Sequence, residues 1–187
     1  MEIVAGKAKG ISLRSPESND VRPTAVRARR ALFDSLGDLS GLVFADLCAG
    51  SGAMGLEAAS RGAAKVYFIE KNASVLRLIR QNCTRIQRAG VETEFEFIQC
   101  EIPSFPARLL HGDLPDIIFA DPPYDLSTKL LKSITGNPVF LDWAGKCTLY
   151  WELPDAGAQL EPPCNPWKIV QIRTLGPARF LILKCNL

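Results

Sequence analysis

The chain has 187 residues, 47% of them hydrophobic and 22% charged, with a formal net charge of +2. That length fits one α/β domain with a short appendage and excludes a second full catalytic domain, while the composition excludes a disordered chain. No apolar run approaches the ~20 residues of a membrane helix, and the start Met1-Glu2-Ile3-Val4 lacks a signal pattern, so the expectation is a cytoplasmic protein. Six scattered cysteines, without a Cys-x-x-Cys pair and with His111 as the single histidine, predict reduced thiols and no metal centre. So small a net charge gives no global attraction to nucleic acid; any attraction must come from a local patch.

In chain order, Glu2–Ala5 and Ile11–Arg14 predict two short strands of a hairpin, joined by Gly6-Lys7-Ala8-Lys9-Gly10. Thr24 is placed to cap a helix running to about Leu36, where Gly37 stops it. From Leu42 the pattern alternates between apolar strands and amphipathic helices, the signature of a parallel sheet covered on both faces. The expected strands are Leu42–Leu47, Lys65–Ile69, Glu94–Gln99, Asp116–Ala120 and Cys147–Trp151. Between them lie helices at Ala53–Ser60, Ala73–Arg88 with Asn72 as cap, a weak one near Phe105–Leu110, and Ser127–Ile134. A Pro-rich connection after Leu153 leads to Lys168–Thr174 and Arg179–Lys184 around a Gly176-Pro177 turn, an antiparallel end to the sheet. Residues 1–40 thus read as a basic appendage and 41–187 as the catalytic domain.

The first of these strands runs into Asp46-Leu47-Cys48-Ala49-Gly50-Ser51-Gly52-Ala53-Met54-Gly55, a glycine-rich turn opening a helix. Such a turn lets a ligand approach the backbone and the unpaired N–H groups of the helix terminus. Glu70, 20 residues beyond Gly50, ends the second strand, where a carboxylate can accept hydrogen bonds from ribose hydroxyls. Both features suit an adenosine-type cofactor, and the glycines alone also match a dinucleotide fingerprint. Asp46 favours a cofactor with an ammonium group over one with a pyrophosphate, since phosphate would be repelled there; a buried capping aspartate is the alternative.

Ile117-Ile118-Phe119-Ala120 leads into Asp121-Pro122-Pro123-Tyr124 at the carboxyl edge of the expected sheet. The lone pair of an exocyclic amine is delocalised into its ring, so such an amine needs acceptors that orient its N–H bonds. The Asp121 carboxylate and the Pro122 carbonyl supply them, and Tyr124 can stack on an extruded base. Arg22, Arg27, Arg29 and Arg30 lie within nine residues that hold no acid, with Lys7 and Lys9 on the hairpin turn. They form the expected RNA-binding patch, a solvated helix face being the competing reading.

Together with the Ile3-Val4-Ala5-Gly6-Lys7 opening, Val21-Arg22-Pro23-Thr24 and Ala31-Leu32-Phe33, these stretches resemble the RsmD-like methyltransferases, the bacterial family that methylates guanine N2 of 16S ribosomal RNA. The resemblance implies a Rossmann-like class I fold with a seven-stranded, mostly parallel sheet and S-adenosylmethionine as cofactor. It implies that Asp46, Ala49, Gly50, Ser51 and Gly52 hold methionine and ribose, that Glu70 binds ribose, that Lys71 belongs to the cofactor site, and that Glu101 and Ile102 border adenine. Asp121, Pro122 and Tyr124 would form the active site, with Asp121 reaching the cofactor as well. Val26 and Arg30 stand where the family usually has acids, and Glu101 where it has Asp or Asn, so this helix is the more basic. The expected partner is 16S rRNA or the assembling small subunit, with the protein a monomer. A dehydrogenase, a DNA adenine-N6 methyltransferase and a non-catalytic RNA-binding module are the competing functions.

Overall fold

The structure, a computed structural model, describes residues 1–15, 23–123, 125–153, 162–176 and 178–185, without the side chains of 23–25. Seven strands form one sheet: β1 (Val43–Leu47), β2 (Lys65–Glu70), β3 (Glu94–Gln99), β4 (Ile117–Ala120), β5 (Thr148–Leu153), β6 (Trp167–Leu175) and β7 (Ala178–Cys185). Their order is β3-β2-β1-β4-β5-β7-β6. The first five are parallel, while β7 runs antiparallel to β5 and β6 antiparallel to β7, as the tight connection between the last two strands requires.

The central strands are covered on both faces, which is why Val43–Leu47, Lys65–Glu70 and Ile117–Ala120 read as nearly unbroken apolar runs. On one face α1 (Pro23–Leu36), α2 (Ala53–Ser60) and α3 (Ala73–Gln87) bury Leu32, Phe33, Leu56 and Ile79 against Phe44, Val66 and Phe68. On the other, α4 (Ser127–Thr135), α5 (Pro138–Ala144) and the 3-10 turn Ala107–His111 bury Leu131, Phe140, Trp143 and Leu109 against Tyr67, Ile118 and Trp151. The chain winds from β1 outward to β3, then returns to build β4 and β5 on the other side of β1. The crevice at the carboxyl ends of β1 and β4 is therefore the point where the winding reverses, the usual ligand position in open α/β sheets.

Three sequence expectations change in detail. The two amino-terminal strands reduce to a single antiparallel bridge, Glu2 to Ser12, because side chains capture the backbone that would have extended the ladder. Val4 and Ala5 N–H groups donate to the Glu57 carboxylate at 2.8 and 3.0 Å, and Asn82 pairs with both the N–H and the carbonyl of Arg14 at 2.9 Å. Helix α1 begins at Pro23, one residue before the expected cap, since the fixed φ of proline suits a first helical position. Helix α5 had no counterpart in the sequence reading; Asn137 caps it, accepting from Phe140 N at 3.0 Å, with Pro138 at its start. The expected Asn72 cap of α3 is present, accepting from Ser74 N at 2.9 Å.

The hairpin and α1 share the core of the sheet, and buried Glu57 on α2 fastens them. Besides the two hairpin N–H groups it takes Arg61 Nε at 2.9 Å and lies 3.6 Å from Arg29 Nε. The hairpin turn also rests on the end of α2: Lys7 N–H donates to the Ser60 carbonyl at 2.8 Å, and a Cβ on Gly6, at φ 80°, would overlap that carbonyl. No described helix is long and apolar enough to cross a membrane.

Candidate active site

A cleft of about 720 Å³ opens over the carboxyl ends of β1, β2, β4 and β5. Its floor is the loop from β1 to α2, where Cys48, Gly50 and Gly52 take φ of 58°, 52° and 76°. Left-handed backbone is free for glycine but strained for a residue with a β-carbon, so Cys48 marks a turn held in place by its surroundings. Ala49 N–H donates to the Ile69 carbonyl at 3.0 Å, and Gly52 N–H to the Ala49 carbonyl at 2.7 Å. Gly52 leads into α2 without a side chain of its own to cap it, leaving first-turn N–H groups to Asp46 and to a ligand. Gly55 serves packing: a Cβ there would overlap the Phe68 ring, so its absence lets α2 lie close on β2.

Three carboxylates from the sequence reading converge on this floor. Glu70 Oε2 accepts from Gly50 N at 3.0 Å and Oε1 from Asn72 N at 2.9 Å, tying the loop after β2 to the glycine turn. Asp46 is 2% exposed and accepts from Gly55 N at 2.9 Å, so one of its oxygens plays the capping part weighed as the alternative above. Burial pushes its pKa well up, against the Gly55 hydrogen bond, and the Asp121 and Glu70 charges add to the rise. Asp121 follows β4 directly and opens onto the cleft, and desolvation there pushes it up to about 6. Burial also takes the Cys48 thiol to about 12, which keeps it protonated and inert.

Ala49, Ser51, Lys71, Glu101, Ile102 and Pro122 also line the cleft. Lys71 and Glu101 are exposed at its rim and pair with each other at 3.5 Å. Tyr124 and Arg22 lie outside the described residues. Lys7, Lys9, Arg27 and Arg30 are exposed, away from the cofactor floor. Arg29 is a correction. It is 4% exposed, donates to the Glu2 carbonyl at 2.6 Å and faces Glu57, so it braces the hairpin instead of presenting charge to RNA. Its helical position explains the difference, since Arg29 shares the buried face with Ala28, Leu32 and Phe33, whereas Arg27 and Arg30 point away.

Among the lining residues without a sequence signal is Glu152, near the end of β5. Ala120 of β4 is level with Trp151 of β5, so Asp121 and Glu152 follow side by side, and Glu152 pairs in register with Phe180 of β7. All three line the cleft. Burial, with the neighbouring Asp121 charge, pushes Glu152 up to about 8.

This sheet order, with its antiparallel last strands and a glycine-floored cleft at the switch point, is a Rossmann-like methyltransferase fold, one also seen in a precorrin-6y C5,15-methyltransferase of Geobacter metallireducens. The chain belongs to the family described as conserved hypothetical protein 95, whose model matches residues 1–183. It is 34% identical over 127 residues to ribosomal RNA small subunit methyltransferase D of Escherichia coli strain K12, across 66% of this chain but only 60% of that relative's length. The protein of the same name from Haemophilus influenzae is 27% identical over 179 residues, covering 94% of this chain and 89% of its own. Among solved structures, Escherichia coli yhhF superposes with a TM-score of 0.75 at 24% identity, over 100% of this chain and 98% of that one, a likeness of fold.

Proposed function

We propose that the chain transfers a methyl group from S-adenosylmethionine to the exocyclic N2 of a guanine in 16S ribosomal RNA, acting as a monomer in the cytoplasm. The observation that carries this reading is the meeting, in one cleft, of the glycine turn with Asp121-Pro122 at the end of β4. The names of the ribosomal RNA methyltransferases it resembles support the substrate class.

The residues fit the cofactor. The glycine turn leaves room for a ligand against the backbone, Asp46 and Glu70 bring negative charge toward an ammonium and ribose hydroxyls, and Ile102 offers a buried apolar wall for adenine. When bound, S-adenosylmethionine supplies an electrophilic methyl on a sulfonium sulfur, which keeps the bonding pair as the amine nitrogen takes the methyl. Asp121 accepts an N–H of the amine, aims its lone pair and receives the proton that methylation releases. Its pKa of about 6 suits that exchange near neutrality. The prolines hold the carboxylate and the Pro122 carbonyl in place, so the rate gain is chiefly one of proximity and orientation. Lys7, Lys9, Arg27 and Arg30 contact RNA phosphates, with Arg22 and Tyr124 assigned to RNA and to base stacking from the sequence alone.

Labelled S-adenosylmethionine, offered with deproteinised rRNA and with small subunits, should place its methyl on one guanine amine, located by mapping the product. Asp121→Ala should lower the rate by about 10²–10⁴ while leaving calorimetric cofactor affinity within a few-fold. Near-normal turnover by that variant overturns the assignment of Asp121.

A further inference from the structure

At the carboxyl end of the sheet, Asp121, Glu152 and Phe180 stand in a row across β4, β5 and β7, all lining the cleft. Asp121 is the group assigned to the amine. Glu152 has no such assignment and, among the described residues, neither carboxyl has a cation or hydrogen-bond donor from the protein. Asp121 is exposed and open to water, whereas Glu152 is half-buried, and a half-buried carboxyl without a donor is an unmet demand that a ligand bringing N–H groups meets. The two carboxyls are adjacent, so a single flat ligand can reach both.

The bases differ in what stands beside the exocyclic amine on the Watson–Crick edge. In adenine and cytosine that neighbour is a bare ring nitrogen, an acceptor; in guanine it is N1–H, a donor. A second acceptor next to the one that holds the amine therefore matches guanine and opposes the other two. We infer that Glu152 is the base-selecting residue of this site, its carboxylate accepting N1–H of guanine while Asp121 accepts N2–H. The inference rests on the methyl-transfer reading above and deepens it. Burial raises both carboxyls, with the Asp121 charge adding to the rise of Glu152, so the pair holds a proton in the free protein, and that proton leaves to solvent as two N–H donors bind and stabilise the carboxylates. Phe180, level with Glu152, gives the base an apolar neighbour.

The test compares guanosine with 2-aminopurine at the mapped nucleotide of 16S rRNA assembled into small subunits. 2-Aminopurine keeps the N2 amine but has a bare N1. The wild-type protein should favour guanosine by about 10–150-fold in kcat/KM, the worth of one hydrogen bond to a charged group. Glu152→Gln offers an amide that can either accept from N1–H or donate to bare N1, and should bring the two substrates within about threefold. Its calorimetric affinity for S-adenosylmethionine and its melting temperature at one fixed pH verify an intact fold. Glu152→Ala should lose the preference as well, by slowing guanosine. If either folded variant discriminates as strongly as wild type, Glu152 does not read the base. If wild type methylates neither substrate while binding the cofactor, the rRNA reading itself fails and the inference falls with it.

Discussion

Two sets of carboxyl groups lie on the same side of the sheet, and the protein answers their charge in opposite ways. Glu57 is fully buried, yet every demand is met internally: two hairpin N–H groups, Arg61 and Arg29 surround it. Asp121, exposed, and Glu152, half-buried, face the cleft with no ion-pair partner among the described residues, and their acids are pushed up to about 6 and about 8. The first arrangement uses charge to fix the hairpin and α1 on the domain. The second leaves charge unanswered, as a site that awaits a donor-bearing ligand must. Neutralisation within the protein thus separates structural carboxyls from functional ones here more cleanly than burial does, since Glu57 is the more deeply buried.

The strongest way to break this contrast is to remove the satisfied member. Glu57→Ala strands Arg29, which is almost wholly buried, and leaves the Val4 and Ala5 N–H groups without their acceptor. Such loss of one partner of a buried ion pair should cost about 3–5 kcal/mol in a denaturant melt. A loss below about 1 kcal/mol, the ceiling for a pair of little worth, would mean that the hairpin does not depend on this hub.

A smaller effect is expected from the unsatisfied pair, and it runs with pH. Both carboxyls titrate above their unfolded values, so between roughly pH 4 and 8 the folded state binds more protons than the unfolded chain. Stability should therefore fall as pH rises through 6 and 8, with buried Asp46 adding to the same trend. Glu152→Gln, which keeps a neutral group at that position, should flatten the fall in melting temperature between roughly pH 5 and 8. Parallel curves for the two proteins would show that the pair is not electrostatically frustrated.

The smallest effect concerns the arginines of α1, where the same contrast recurs within one helix. Arg29 is answered by Glu57, while Arg27 and Arg30 face solvent. Replacing Arg27 and Arg30 together with alanine should raise KM for RNA and reduce the log–log salt slope by about 0.7–0.9 for each phosphate that is no longer neutralised. Cofactor affinity should not change. An unaltered salt slope would return these two residues to the status of a solvated face.

Much of this was legible in the sequence because the fold announces itself by period and the cofactor floor by local spacing. The central parallel strands carry nearly unbroken apolar runs, and Asp46, the glycines, Glu70 and Asp121 all sit at or near a strand end, which the alternation of elements exposes. The exceptions depend on partners far along the chain. Arg29 looks like Arg27 and Arg30 until Glu57, on another helix, is brought beneath it. The hairpin strands read well as strands, yet Glu57 and Asn82 take over the backbone groups that would have paired. Glu152 belongs to no local motif; only the register of β4 and β5 sets it beside Asp121. Helix α5 is hidden because seven residues are too few to display a helical period, and its cap is a single asparagine.

The docking of the hairpin turn on Ser60 gives α2 a role besides packing. One end of this eight-residue helix meets the glycine floor of the cleft, and its last residue carries the turn that bears Lys7 and Lys9. At about 1.5 Å per residue the helix is about 12 Å long and too short to bend, so it works as a caliper between the cofactor floor and the lysines proposed to hold RNA. Gly6 is the seat of one jaw. With no side chain there to lift the turn, the span between grip and reaction is set by the length of a helix, independently of any motion in the loops around the cleft.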